Sequence, residues 1–127
     1  MSPLSERFTK ARRVRRRDEF KRVFELSHRA KGRYTTVLVA PNDTGTARLG
    51  IVASRKLGDA VRRNRAKRLI REIFRRSELF PAGKGLDVVV IPRRELFDAE
   101  YSSLESDLRA TIRRSAARLS ATADAAR

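Results

Sequence analysis

The sequence predicts an α+β fold, with three helices packed on one small sheet in the order α, β, β, α, β, α. Three observations support it. Apolar residues recur at helical spacing in three separate segments. A turn-forming cluster, Pro41-Asn42-Asp43-Thr44-Gly45, divides two β-rich segments. Leu86 to Ile91 (LDVVVI) is short, Val-rich and unbroken, as expected for a central strand covered on both faces. At 127 residues the chain has room for one domain with one modest core.

Each element follows from local chemistry. Residues 1–17 carry Arg7, Lys10, Arg12, Arg13, Arg15, Arg16 and Arg17 with little apolar content, so a flexible basic arm is expected. Asp18 reads as a helix N-cap, and Phe20, Val23 and Phe24 place a first helix over 19–29, ended by Lys31-Gly32. Tyr34 to Ala40 (YTTVLVA) and Arg48 to Ser54 (RLGIVAS) read as an antiparallel hairpin about the turn cluster, with Gly50 marking a bulge. Gly58-Asp59 opens a helix running to about residue 76. Gly83 to Gly85 is a loop, and Pro92 closes the Val-rich strand. The last helix is expected from Asp98 to about residue 119, with Tyr101, Leu104, Leu108 and Ile112 on one face. The domain thus spans 18–119, and 120–127 reads as a flexible tail.

Charge narrows the function. There are 31 Lys plus Arg against 15 Asp plus Glu, a formal net charge of +16. A compact domain with that charge repels itself, so a polyanionic partner is expected. The chain has no Cys, which removes disulfides, thiolate metal sites and a Cys nucleophile. No apolar run approaches a membrane span, and no secretion-type h-region leads the sequence. A cytoplasmic protein without a membrane partner is expected.

The most informative stretch runs from Ser54 to Arg71. On a helical wheel Ala66, Leu69, Ile70, Ile73 and Phe74 form one stripe that can pack on a sheet. Arg65, Lys67, Arg68, Arg71 and Arg75 take the opposite face, interrupted by one acid, Glu72. An ordinary solvated face mixes signs, because like charges at i, i+3 and i+4 cost stability. A phosphate backbone lying along this helix accounts better for Arg65, Arg68, Arg71 and Arg75.

At these residues the chain resembles the bacterial ribonuclease P protein family. Arg63-Asn64-Arg65-x-Lys67-Arg68-Leu69-Ile70-Arg71 is similar to that family's RNR motif, and Ser54-Arg55-Lys56-Leu57-Gly58-Asp59-Ala60-Val61 to its lead-in. Asp18-Glu19-Phe20-x-x-Val23-Phe24 and Asp87-Val88-Val89-Val90-Ile91-x-Arg93 extend the resemblance across residues 10 to 115. It implies three helices on a small, mostly antiparallel sheet of about four strands, in the order α-β-β-(β)-α-β-α, with a left-handed βαβ crossover delivering the RNR helix. General rules alone would draw that crossover right-handed. It further implies a protein subunit that assists a catalytic RNA in removing the 5′ leader of precursor tRNA. By position, contacts to that RNA fall on Lys56, Arg63, Asn64, Arg65, Lys67, Arg68 and Arg71. Leader contacts fall on Phe20, Phe24 and the sheet near Leu38, where the family often carries an aromatic. Phe at i and i+4 commonly means core; for Phe20 leader contact is the favoured reading. Aromatic faces suit a leader of variable sequence, since they stack on any unpaired base.

No protein active site is expected. A protein ribonuclease uses an acid–base pair or a carboxylate metal cluster. His28 is the only His, and its place at the end of the first helix is explained by the helix dipole. Asp87 lacks a following Glu-x-Lys, and Glu95, Asp98 and Glu100 read as loop and helix-start acids. Hydrolysis is expected of the RNA subunit, with Mg²⁺ held by that RNA and the substrate, and no obligate protein partner. The competing reading is a structural RNA-binding protein of ribosomal type. DNA binding lacks a helix-turn-helix spacing, and a polybasic membrane binder lacks a large exposed apolar face.

Overall fold

The computed structural model describes residues 13–42, 44–76 and 85–125, with side chains through residue 118. Helix α1 spans Arg17–Leu26, and strands β1, β2 and β3 span His28–Lys31, Thr35–Pro41 and Arg48–Ile51. A 3-10 turn at Arg55–Leu57 leads into α2, Ala60–Arg76. Strand β4, Leu86–Pro92, a second 3-10 turn at Arg94–Asp98, and α3, Tyr101–Ala125, complete the chain. Among the described residues no helix is long and apolar enough to cross a membrane.

The sheet order is β1-β2-β4-β3. β2 is antiparallel to β1 and β4, while β3 lies parallel to β4. The hairpin expected between the second and third strands is therefore absent: β4 inserts between them. Val88, Val89 and Val90 are fully buried, and only a central strand offers such a run neighbours on both edges and cover on both faces. β3, α2 and β4 form a βαβ unit, with the two strands parallel and adjacent.

The fourth strand, β1, lies where helical spacing reads on to residue 29. Helix α1 stops at Ser27, whose N–H donates to Val23 O at 2.9 Å and whose backbone is already extended. His28 is thus the first residue of β1 and not a helix-end residue, and its carbonyl accepts from Ser115 Oγ at 2.6 Å. At the other end α1 begins before Asp18. Arg16 is the N-cap, and the Glu19 carboxylate accepts the N–H groups of Arg16 and Arg15 at 3.0 and 3.1 Å. Side-chain capping from the third helical position satisfies donors that the helix itself cannot.

Period-two alternation divides the core between the two faces of the sheet. Val37, Val39, Leu49, Val88 and Val90 face α2 and α3, meeting Ala66, Ile70, Ile73 and Phe74 of one and Leu104, Leu108 and Ile112 of the other. Leu38, Ala40 and Val89 face α1 and meet Val23. The end of the basic arm also lies against the sheet: Val14 is buried, its N–H donates to Leu49 O at 2.9 Å, and Arg13 bridges Leu49. Residues 13–14 so cover the outer edge of β3, a common way to block strand addition. Residues 1–12 of the expected arm and 126–127 of the expected tail lie outside the described residues, as do Asp43 of the turn cluster and residues 83–84 of the expected loop. Helix α3 continues to Ala125, past its expected end at 119.

Candidate nucleic-acid interface

Helix α2 is set by its start. Gly58 has φ +145°, a conformation that side chains resist, and a Cβ there would meet Arg62. Asp59 Oδ1 then accepts the Arg62 N–H at 2.9 Å as N-cap. Leu57 is buried in the lead-in turn, and Lys56 beside it is exposed. With Ala66, Ile70, Ile73 and Phe74 buried and Leu69 partly so, the rotation of α2 is fixed as the wheel predicts.

The polar and cationic residues on its other side fall into two rows. Asn64, Arg65 and Arg68 are exposed. Arg63, Lys67 and Arg71 are half-buried, and Lys67 and Arg71 face the N-terminal segment. Burial, and then the nearby Arg13 charge, push the Arg71 guanidinium below its ordinary range. Crowded like charges of this kind favour binding of an anion between them. Glu72, the acid within α2, pairs with Arg76 at 3.1 Å.

Beside Lys67 and Arg71 lies a cavity of about 150 Å³ whose wall also holds Arg13, Arg15, Phe20 and Gly50. Four cations around one aromatic ring suit a phosphate with its adjoining base. Gly50 explains why the ring fits. A Cβ at that position would lie 2.8 Å from Phe20 Cε1 and 2.9 Å from Val14 Cβ. The expected bulge is not there: Gly50 pairs with Val89 in regular register, and the missing side chain admits Phe20.

Past this pocket the exposed flank of α1 and the sheet face beside it form the candidate leader groove. Val23 points to the sheet, while Phe20 and Phe24 share one flank, about 40° apart around the helix. Phe20 is half-buried; Phe24 is 43% exposed. Leu38, by contrast, is 3% exposed beneath Val23, so it supports α1 from below and is removed from the groove surface. The residues that replace it are Thr36, Ile91 and Val52, all half-buried on the same face. Thr36 pairs with Ile91, and its hydroxyl accepts from Arg93 Nη1 at 3.0 Å. Period two continued from Leu38, Val89 and Gly50 leads to all three.

Asp87 and Glu19 are engaged in holding the fold. Asp87, 1% exposed, accepts Arg48 Nε at 2.7 Å, Arg48 Nη2 at 2.8 Å and Asn42 Nδ2 at 2.6 Å. Arg48 Nη1 donates to Glu19 Oε2 at 2.7 Å, tying the start of α1 to β3 and β4. Partial burial opposes the Glu19 charge, but the backbone N–H groups of Arg16 and Arg15 and the Arg48 guanidinium hold its pKa down at about 2. Bonding to Asp87 in turn pushes Arg48 up.

Comparison with known proteins gives one answer. A family model described as Ribonuclease P matches residues 8–116. The ribonuclease P protein component of Thermotoga petrophila is 45% identical over 94 residues, covering 73% of this chain and 79% of that protein. The same component of Petrotoga mobilis is 36% identical over 112 residues, covering 84% and 93%. Among solved structures, the ribonuclease P protein of Thermotoga maritima superposes with a TM-score of 0.68 at 40% identity, covering 76% of this chain and 90% of that one. The ribonuclease P protein of Staphylococcus aureus gives 0.71 at 31%, covering 82% and 94%.

Proposed function

The chain belongs to the ribonuclease P protein component family, and from that premise we propose that it binds the catalytic RNA through α2 while its groove receives the 5′ leader of precursor tRNA. The family makes it a subunit of an endoribonuclease ribonucleoprotein acting in tRNA processing. The observation that carries the finer reading is the division of the polar and cationic side chains on α2. Asn64, Arg65 and Arg68 project outward for one RNA surface, with Lys56 on the turn before them. Lys67 and Arg71 line the pocket at the mouth of the Phe20–Phe24 groove. One helix thereby serves the catalytic RNA on its outer side and the leader on its inner side.

The protein supplies binding and orientation, and the RNA supplies catalysis. Asp87 and Glu19 have their oxygens engaged by Arg48, Asn42 and backbone N–H groups, which disposes them to hold the fold and not a metal. Mg²⁺ belongs to the phosphates of the RNA subunit and substrate. The assembly works in the cytoplasm, where precursor tRNA is made.

The test is salt dependence. Replacing Arg65 and Arg68 with Ala should weaken binding of the catalytic RNA and reduce the log–log salt slope by about 0.7 to 0.9 for each phosphate no longer neutralised. An unchanged slope in a folded variant would assign this face to solvent.

A further inference from the structure

The sheet face beneath the candidate groove continues past β2 to β1. Strand β1 forms the far edge of the sheet, three inter-strand steps from β3, or about 14 Å at the usual strand spacing. Ala30 of β1 is fully buried opposite Val37, on the α3 side. Alternation then puts Arg29 and Lys31 on the groove side, opposite Leu38 and Thr36, and both are exposed. A single strand that starts in the Arg13–Arg71 pocket and follows the groove therefore meets Arg29 and Lys31 as it leaves.

Past that edge the positive surface continues. Arg114 Nη2 of α3 donates to Lys31 O at 3.1 Å, and Arg118 Nη1 donates to Arg29 O at 2.5 Å. Each carbonyl engages one guanidinium nitrogen and fixes its plane at the rim of the sheet. Arg33, stacked 5.4 Å from the Tyr34 ring centre, adds a further exposed cation. The nearby acid, Asp107, accepts the backbone N–H of Arg33 at 2.9 Å. Arginines over edge carbonyls also protect against strand addition. That role accounts for Arg114 and Arg118, but not for cations on the groove face of β1.

We propose that the β1 edge and the adjoining side of α3 form a second phosphate track, which takes the distal nucleotides of a long leader after they leave the groove. This rests on the reading of the groove as the leader site. Its partner is single-stranded RNA, because the track continues the leader groove of the proposed function and its cations follow one strand edge.

The experiment uses protein reconstituted with the catalytic RNA. Precursor tRNAs with leaders of about 4 and about 12 nucleotides span the site sizes usual for single-strand grooves. The unaltered complex should bind the longer leader more tightly, with a salt slope steeper by about 0.7 for each additional phosphate neutralised. Arg29→Gln with Lys31→Gln should cancel both gains while leaving the short leader and mature tRNA unchanged. Those two positions are exposed, so the fold should persist, and equal melting temperatures check that it does. Absence of any length-dependent gain overturns the proposal, as does a gain that survives the double variant. An equal loss on both leaders also overturns it, because the residues would then act within the groove. A Phe24→Ala complex separates the two readings: if it binds the short leader normally, the groove assignment itself has failed.

Discussion

The ring of Phe20 occupies the space a side chain at Gly50 would need, with Cε1 2.8 Å from where a Cβ would stand. Helix α1 and strand β3 approach this closely only because position 50 has no side chain. Gly50→Ala should therefore destabilise the protein by about 1–3 kcal/mol, the usual cost of overpacking. It should also displace the ring at the mouth of the pocket and weaken leader binding. Thermal melting and leader affinity on the same variant check this; an unchanged melting temperature would mean that the ring moves freely.

The two phenylalanines should separate on substitution. Phe24 is exposed, so Phe24→Ala should leave stability nearly intact and cost about 1–3 kcal/mol in leader affinity, the worth of one stacked base. Phe20 packs against the α1-facing core, so Phe20→Ala should lower both stability and affinity. Measuring precursor and mature tRNA side by side decides it. Equal loss on both RNAs in the Phe24 variant would remove stacking from the account.

Acid should loosen α1. The Glu19 carboxyl falls from an ordinary value of 4.5 to about 2 in the folded protein. A depressed pKa contributes stability above the unfolded value, and that contribution is lost as pH falls from about 5 towards 2. Glu19→Gln should cost about 1.5–3 kcal/mol near neutral pH, the range for bonds to a charged group. It should also flatten the pH dependence of stability in that window. A variant that retains the full acid transition would place its origin elsewhere.

The sequence is most legible where a single periodicity rules. The buried stripe of α2 and the central position of β4 follow from residue spacing alone, because each has one apolar pattern and one way to bury it. Strand β1 is hidden because HRAK carries one buried residue among three polar ones, and the apolar residues before it continue a helical pattern. The expected β2–β3 pairing fails because a turn cluster reports a reversal of the chain, not which strand becomes the neighbour. At the site, Leu38 shares a sheet face with Val23 and Phe20 but lies buried beneath the helix. Which residue on a sheet face lies under a helix and which lies beside it depends on where Val23 lands, a tertiary contact that neither propensity nor resemblance encodes.

Cleavage by the reconstituted complex tests the central claim most directly. Precursor tRNA would be incubated at low Mg²⁺ with the RNA-free protein, with the catalytic RNA, and with both. The protein alone should leave the substrate intact, the RNA alone should cut slowly, and the two together should cut efficiently at the mature 5′ end. A correctly placed cut by protein that has been pretreated with nuclease would contradict the account, as would a failure of the protein to accelerate the RNA.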